Sequence, residues 1–408
     1  MVEANTQRLP AFLAAFAFPD FRRLWSGAFL SSIGNWTQDV ALAWIIHSRF
    51  GDPLYLGLRA FASDAPLLTF MLLGGAVADR VDRRHILLTS QVLQMLLAVT
   101  LGVLWVTGRL SIEAILLVAF FTGLTQSQSA PTYQAVLTSV VPRHHIPNAV
   151  ALNSLQFNLS RAVGPVIAGA LLARGGTTAC FAVNALSFVA VILAIWHIRI
   201  PPHAAAPTES LAKSLGTGLR HVSDSPVLST LTLLGAVGSF LAFPLITYLP
   251  VFAGDVLKTG VTGYSLLLTS FGSGAILGAV TTAHRGNEPG RGRRLLLAMI
   301  AYGCVTAGAM ACRAQWMAMA LLVLSGVTMV TAFSSLNSLV QENAPDALKG
   351  RILSIYGLAF RGGLPLGALL AGVLVRPFGA PVVIGAFSLS VAALAAITLA
   401  WNRRIREL

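Results

Sequence analysis

Acidic residues are scarce: 15 Asp and Glu stand against 28 Lys and Arg in 408 residues, a net charge of +13. Charge of either sign is thin, at 11% of residues, less than half the roughly 25% of a soluble globular chain. Too few charged groups exist to solvate the surface of a water-soluble fold of this length. Cysteine is nearly absent. Cys180, Cys304 and Cys312 have no CxxC spacing and no His at ligand distance, which leaves packing roles rather than a disulfide framework or a metal site. No G-x-x-x-x-G-K-[ST] phosphate loop occurs, so ATP hydrolysis within the chain is not expected. His144, His145, His203 and His221 lie in loops and interfaces beside no nucleophile–base set. An enzyme is not expected, and neither is a metal or any other cofactor.

What fills the chain is apolar: 55% of residues are hydrophobic and the mean hydropathy is +0.75. About 20 mostly apolar residues cross ~30 Å of hydrocarbon as a helix, because each backbone N–H and C=O must be satisfied within the segment. By that rule the expected spans are 23–48, 54–77, 86–107, 112–137, 149–173, 178–198, 227–251, 261–283, 295–312, 315–338, 352–375 and 379–401. An all-α integral membrane protein of twelve helices follows as the expectation. With both termini placed inside, nineteen Lys/Arg fall in tails and cytoplasmic loops, six (Arg49, Arg109, Arg174, Lys258, Arg313, Arg376) fall outside, and three lie within spans. Lys/Arg bias sets orientation, so the excess favours ends that are both cytoplasmic. The positive residues come in short clusters between apolar spans, which explains the net charge without a nucleic-acid partner.

Organisation follows from the hydrophilic breaks. Residues 1–22 form a cytoplasmic lead-in, 23–198 a first six-helix half, 199–226 a central loop, 227–401 a second half and 402–408 a cytoplasmic tail. Leu9 to Phe18 resembles a signal-peptide core but lacks a convincing cleavage region and runs into Pro19-Asp20-Phe21-Arg22-Arg23. In the central loop, Leu211, Leu215, Leu219 and Val222 recur at helical spacing, fitting either a short surface helix or a plain linker. The halves echo each other: Arg161-Ala162-Val163-Gly164-Pro165 in the fifth span answers Arg361-Gly362-Gly363-Leu364-Pro365 in the eleventh. Such an echo fits two parallel six-helix repeats related by an axis along the membrane normal.

The charged turn Gly74 to Arg84, GGAVADRVDRR, between two apolar spans has the form G-x-x-A-D-R-x-x-R-R. With the Gly-Pro of the fifth span and the long central loop, it resembles the major facilitator superfamily over essentially the whole chain. The segments FRRLWSGAFLSSIGNWTQDVALAWII, LTSVVPRHHIPNAVALNS and GRILSIYGLAFRGGLPLGALLAG are most similar to the branch of enterobactin exporters and macrolide-efflux proteins. Position 82 is Asp where the superfamily loop commonly has Gly. The resemblance implies that Gly75, Asp79, Arg80, Arg83 and Arg84 form a cytoplasmic latch. The other reading of these charges is that they only fix topology. Gly164, Pro165 and Gly169 resemble the exporters' fifth-span pattern and imply a hinge or a tight packing surface.

Counting at 1.5 Å per residue puts Asp39 and Asp64 each roughly 15 Å from the loop that joins their spans. Arg161 and Arg361 fall roughly 10 to 12 residues into theirs, at similar depth. A charge facing lipid at that depth costs about 2.5 kcal/mol or more, so pairing is expected. The superfamily's helix arrangement implies Asp39 with Arg161 and Asp64 with Arg361. These are either static ion pairs or a proton switch in which an acid exchanges its Arg for a proton. Arg59, nearer the outer end, snorkels. The family's cavity-lining spans are the first, fourth, seventh and tenth, which makes Asn35, Gln38, Gln126, Gln128, Phe240, Phe243, Ser334 and Asn337 cavity candidates. Amides and aromatics suit an amphiphilic organic substrate better than a bare ion. The resemblance therefore implies a monomeric, proton-coupled exporter of a small organic compound in the bacterial inner membrane. Uptake or lipid transport on the same fold, or a non-transporting receptor or assembly factor, stands as the alternative.

Overall fold

The computed structural model describes residues 10–78, 82–200, 211–285, 290–346 and 348–408, and every regular element among them is helical. The long helices are α1 (Pro19–Ile45), α2 (Leu54–Ala78), α3 (Arg83–Val106), α4 (Ile112–Ser139) and α5 (Ile146–His197). Next come α6 (Leu211–Asp224), α7 (Pro226–Ala242), α8 (Pro244–Val251), α9 (Gly260–Arg285) and α10 (Arg291–Ala311). The last are α11 (Gln315–Asn343), α12 (Lys349–Phe378), α13 (Ala380–Trp401) and α14 (Arg403–Arg406). Polar caps start several of them: the side chains of Asp82, Ser111 and Ser225 accept first-turn N–H groups of α3, α4 and α7, which a helix cannot bond internally.

Eight helical stretches among the described residues are long and apolar enough to cross a membrane. One of them, residues 143–197, holds two helices, because Gly176 leaves helical geometry with φ 65°. That left-handed backbone costs glycine little, and it falls where the sequence places the turn between the fifth and sixth spans. Helices of 25 and 28 residues cover the second and fourth expected spans, and one of 27 residues covers the first as far as Ile45. Many helix faces expose large apolar side chains, among them Leu186, Leu193, Trp196 and Val382, as a lipid-facing surface requires.

The chain divides into two compact units, one of Met1–Leu42 with Pro66–Pro207, the other of Ala43–Ala65 with Thr208–Leu408. In the first, α3 packs on α4 and α5, and Phe21, Leu24, Leu87, Leu137, Leu152 and Phe188 share one buried cluster. The lead-in forms a short 3-10 helix, Ala11–Ala17. Asn148 pins it, accepting from the Ala15 N–H at 2.8 Å and donating to the Phe12 carbonyl at 2.9 Å. In the second unit α9 packs on α11, α10 on α11 and α13, and α7 on α12. The amphipathic segment of the central loop is a helix, α6, lying on α7 and α12.

Candidate functional site

In the first unit, α1 lies against both arms of α5. Trp25 Nε1 donates to the Leu152 carbonyl at 2.9 Å, and Gln156 Nε2 reaches the Ser32 hydroxyl at 2.8 Å. Beyond Gly176, Asn184 Nδ2 donates to Gln38 Oε1 at 2.9 Å. Gln38, a cavity candidate, thus helps hold the helices together. The two also approach closely at Gly164, where a Cβ would overlap the Cβ of Trp36. Glycine is needed there so that α5 can reach α1. The helix runs on through Pro165 and buried Gly169 to Gly176.

That approach places Arg161. Its guanidinium stands 6.0 Å from the centre of the Trp36 ring, within reach of a cation–π attraction. Trp36 and Asp39 sit three residues apart on α1, so Arg161 and Asp39, both half-buried, lie along neighbouring stretches of the same helix pair. Asp64 is half-buried on α2 and Arg361 exposed on α12, both within the second unit. Asn35 is half-buried and Gln126 exposed. Gln128 has its buried Oε1 without a hydrogen-bond partner among the described residues.

Of the latch residues, Asp79 and Arg80 lie outside the described residues, and Gly75 falls on the last turns of α2. Asp82 caps α3, accepting from the Arg84 N–H at 2.7 Å. The Arg84 side chain donates to the carbonyl of Ile198 past the end of α5, and Arg83 is half-buried in the first turn of α3.

The second unit gathers an aromatic cluster that periodicity did not single out. Phe243 meets Phe333 at 5.6 Å and Phe360 at 5.7 Å, Phe333 meets Phe360 at 5.3 Å, and Tyr356 lies 6.0 Å from Phe360. These edge-to-face and tilted contacts are the arrangement ring quadrupoles favour. Phe240 instead stacks on Phe387 at 6.3 Å. Ser334 is half-buried and Asn337 exposed, the latter one turn along α11 from Phe333.

The same unit holds residues 43–65, the turn between α1 and α2 with the adjoining helix ends, by polar and close-packed contacts that no sequence pattern signals. Arg376 near the end of α12 donates from Nε to Asp52 Oδ1 at 2.7 Å, and its Nη2 pairs with Oδ2. This two-pronged bond, then the Leu54 N–H and last the Arg376 charge, hold the Asp52 carboxyl below its ordinary value against the opposing effect of burial. His47 Nε2 lies 3.5 Å from Asp255 Oδ1. A Cβ on Gly57 would lie 2.6 Å from the Ala368 carbonyl oxygen, and Tyr248 donates its hydroxyl to that same carbonyl at 2.8 Å. Asp52, Asp255 and Arg376 border a cleft of about 490 Å³.

Among the described residues, membrane-length helices with charged and aromatic groups set between them define an integral membrane protein. The family model described as a transmembrane secretion effector matches residues 11–407, and the chain belongs to that family, within the major facilitator superfamily. It is 28% identical to the multidrug efflux pump Tap of Mycolicibacterium fortuitum, over 99% of this chain and 98% of that protein. Identity is 25% to the staphyloferrin A transporter of Staphylococcus aureus, over 93% and 96%. It is 24% to the enterobactin exporter EntS of Escherichia coli, over 95% and 94%. In fold the chain is similar to the nucleoside transporter NupG, with TM-score 0.74, 14% identity and coverage of 94% and 99%. A bacterial homologue of the iron transporter ferroportin gives the same TM-score at 16% identity, with the same coverage.

Proposed function

We propose that this protein exports a small organic compound, drug-like or siderophore-like, in exchange for protons and by alternating access. On this reading the chain crosses the inner membrane twelve times with both ends inside, acts as a monomer and uses no cofactor. The observation that carries it is the fastening of residues 43–65 through Asp52 and Arg376. The Arg376 side chain is 50% exposed, so water competes for the pair and it can be broken and remade at small cost. Weak contacts of this kind at the ends of membrane-length helices let a transporter remake its packing in every cycle.

The cargo class is supported by relatives named for siderophores and multidrug efflux. It is supported too by the cluster of Phe243, Phe333 and Phe360 near Ser334 and Asn337, a mixed surface suited to amphiphiles. Asp39 with Arg161 and Asp64 with Arg361 are the proposed proton-coupling pairs, Asp79 with Arg80, Arg83 and Arg84 the proposed latch.

Purified protein in vesicles with an imposed pH gradient tests this, against a panel of siderophores and amphiphilic drugs. Export coupled to protons predicts substrate movement against the proton flow, with a matching change of internal pH. Movement in the direction of the proton flow would instead mean uptake. Binding without flux would mean a receptor.

A further inference from the structure

We propose that the second unit carries a binding site for the phosphate headgroup of an anionic phospholipid, at the shared end of α7 and α13. A cleft of about 570 Å³ opens there, lined by Pro226 and Thr230 of α7, Thr398 and Trp401 of α13, and Arg403 and Arg404 beyond it. Trp401 is 85% exposed on the last turn of a membrane-length helix, and Arg403 and Arg404 follow after one asparagine. Indole rings and arginines in that order sit at headgroup level, the ring in the interface and the cation beyond it.

The cleft is built. Ile405 is fully buried, which anchors α14. Asn402 accepts from the Ile405 N–H at 3.2 Å and donates from Nδ2 to Thr230 Oγ1 at 3.3 Å. The Arg291 N–H donates to the Leu408 carbonyl at 3.1 Å. Short as it is, α14 is therefore tied to α7 and α10, and Arg403 and Arg404 are held at the cleft.

Charge selects the occupant. Arg403 is engaged by Glu407, Nε to Oε1 at 2.6 Å, whereas Arg404 makes no ion pair among the described residues. One guanidinium is available at once, and an incoming phosphate can draw the second away from Glu407. A planar guanidinium fork matches two phosphate oxygens. Free phosphate would leave the indole and the apolar wall of Pro226 unused, while a phospholipid covers both. Basic clefts at the ends of membrane helices bind anionic headgroups on the same principle.

Native mass spectrometry of the full chain, released from micelles holding equal phosphatidylglycerol and phosphatidylcholine, tests the proposal. The wild type should retain phosphatidylglycerol preferentially. Arg404→Gln should lower that retention about fivefold, the effect of one basic group at an anionic surface. Glu407→Gln should raise it by releasing Arg403, a gain that loss of structure cannot produce. In vesicles, phosphatidylglycerol brominated near the headgroup should quench tryptophan emission more than the phosphatidylcholine equivalent, and the excess should vanish in Trp401→Phe. Equal retention in all three proteins would overturn the site. Displacement of the lipid by millimolar inorganic phosphate would overturn its assignment to lipid.

Discussion

Arg376 clasps Asp52 across 324 residues of sequence, Nε at 2.7 Å from one carboxylate oxygen and Nη2 on the other. Asp52 opens α2, where its Oδ1 also accepts the Leu54 N–H at 2.9 Å, so one carboxylate both starts a helix and receives a guanidinium from α12. Asp52→Asn should speed amide hydrogen exchange over residues 54–58, and Arg376→Gln should do the same. The pH dependence has a fixed sign. The folded carboxyl titrates below its ordinary value, so the contribution is fully present above that value and is lost as pH falls through the lowered one. Wild-type exchange, corrected for intrinsic rates, should stay flat from neutral pH into mild acid and rise only below the carboxylate range. An earlier rise would mean that another group holds the turn.

Gly164 and Gly362 both lie in the segments that echo each other between the halves, two positions out of register, and meet different surroundings. A side chain at Gly164 would overlap Trp36, while nothing lies within 4 Å of a Cβ at Gly362. Gly164→Leu should therefore destabilise by about 1–3 kcal/mol or more, the usual cost of overpacking. Gly362→Ala should leave the melting temperature in detergent unchanged or slightly raised. Equal effects would show that α1 and α5 can separate.

Asp39→Asn and Asp64→Asn should each abolish pH-driven flux in vesicles while at least one variant still binds substrate. The paired changes, Asp64→Asn with Arg361→Gln and Asp39→Asn with Arg161→Gln, separate a switch from a strut. A static pair loses nothing when both charges go, whereas a proton carrier cannot be replaced that way. Recovery of coupled flux in either double variant would remove that acid from the proton path.

Phe360 touches Phe243, Phe333 and Tyr356, so Phe360→Ala removes the centre of the cluster. Aromatic pairs contribute about 0.5–1.5 kcal/mol each beyond burial. Affinity for an amphiphilic substrate should fall about tenfold or more, with Phe387→Ala nearer to wild type. Affinity unchanged in Phe360→Ala would place the substrate elsewhere.

Topology is open to chemical labelling in a cysteine-free background. A cysteine at Thr208 should react only from the cytoplasm and one at Asp255 only from outside. The opposite pattern would reverse the orientation drawn from the Lys/Arg excess.

Helix positions and family were legible along the chain because the bilayer makes them local properties: length and hydropathy fix where a helix can lie, and loop charge biases its direction. The turn at Gly176 falls in the break between the fifth and sixth expected spans, while the 3.6-residue repeat left α6 open between a surface helix and a plain linker. The Gly164 packing surface was half legible, since the glycine was conspicuous but its partner, Trp36, was not. Arg376 was read only as one of the outside charges, and Asp52 was not singled out. No spacing links residues that far apart, and either one is ordinary beside its sequence neighbours. The same holds for Phe243, Phe333 and Phe360, which come from the α7–α8 junction, α11 and α12. By itself the sequence determined that the chain is helical, membrane-embedded and of the major facilitator kind, because these follow from solvation of backbone and side chains one segment at a time. Only the tertiary structure decided which charges and rings meet, because those contacts depend on helix rotation and register, set by packing between segments remote in sequence.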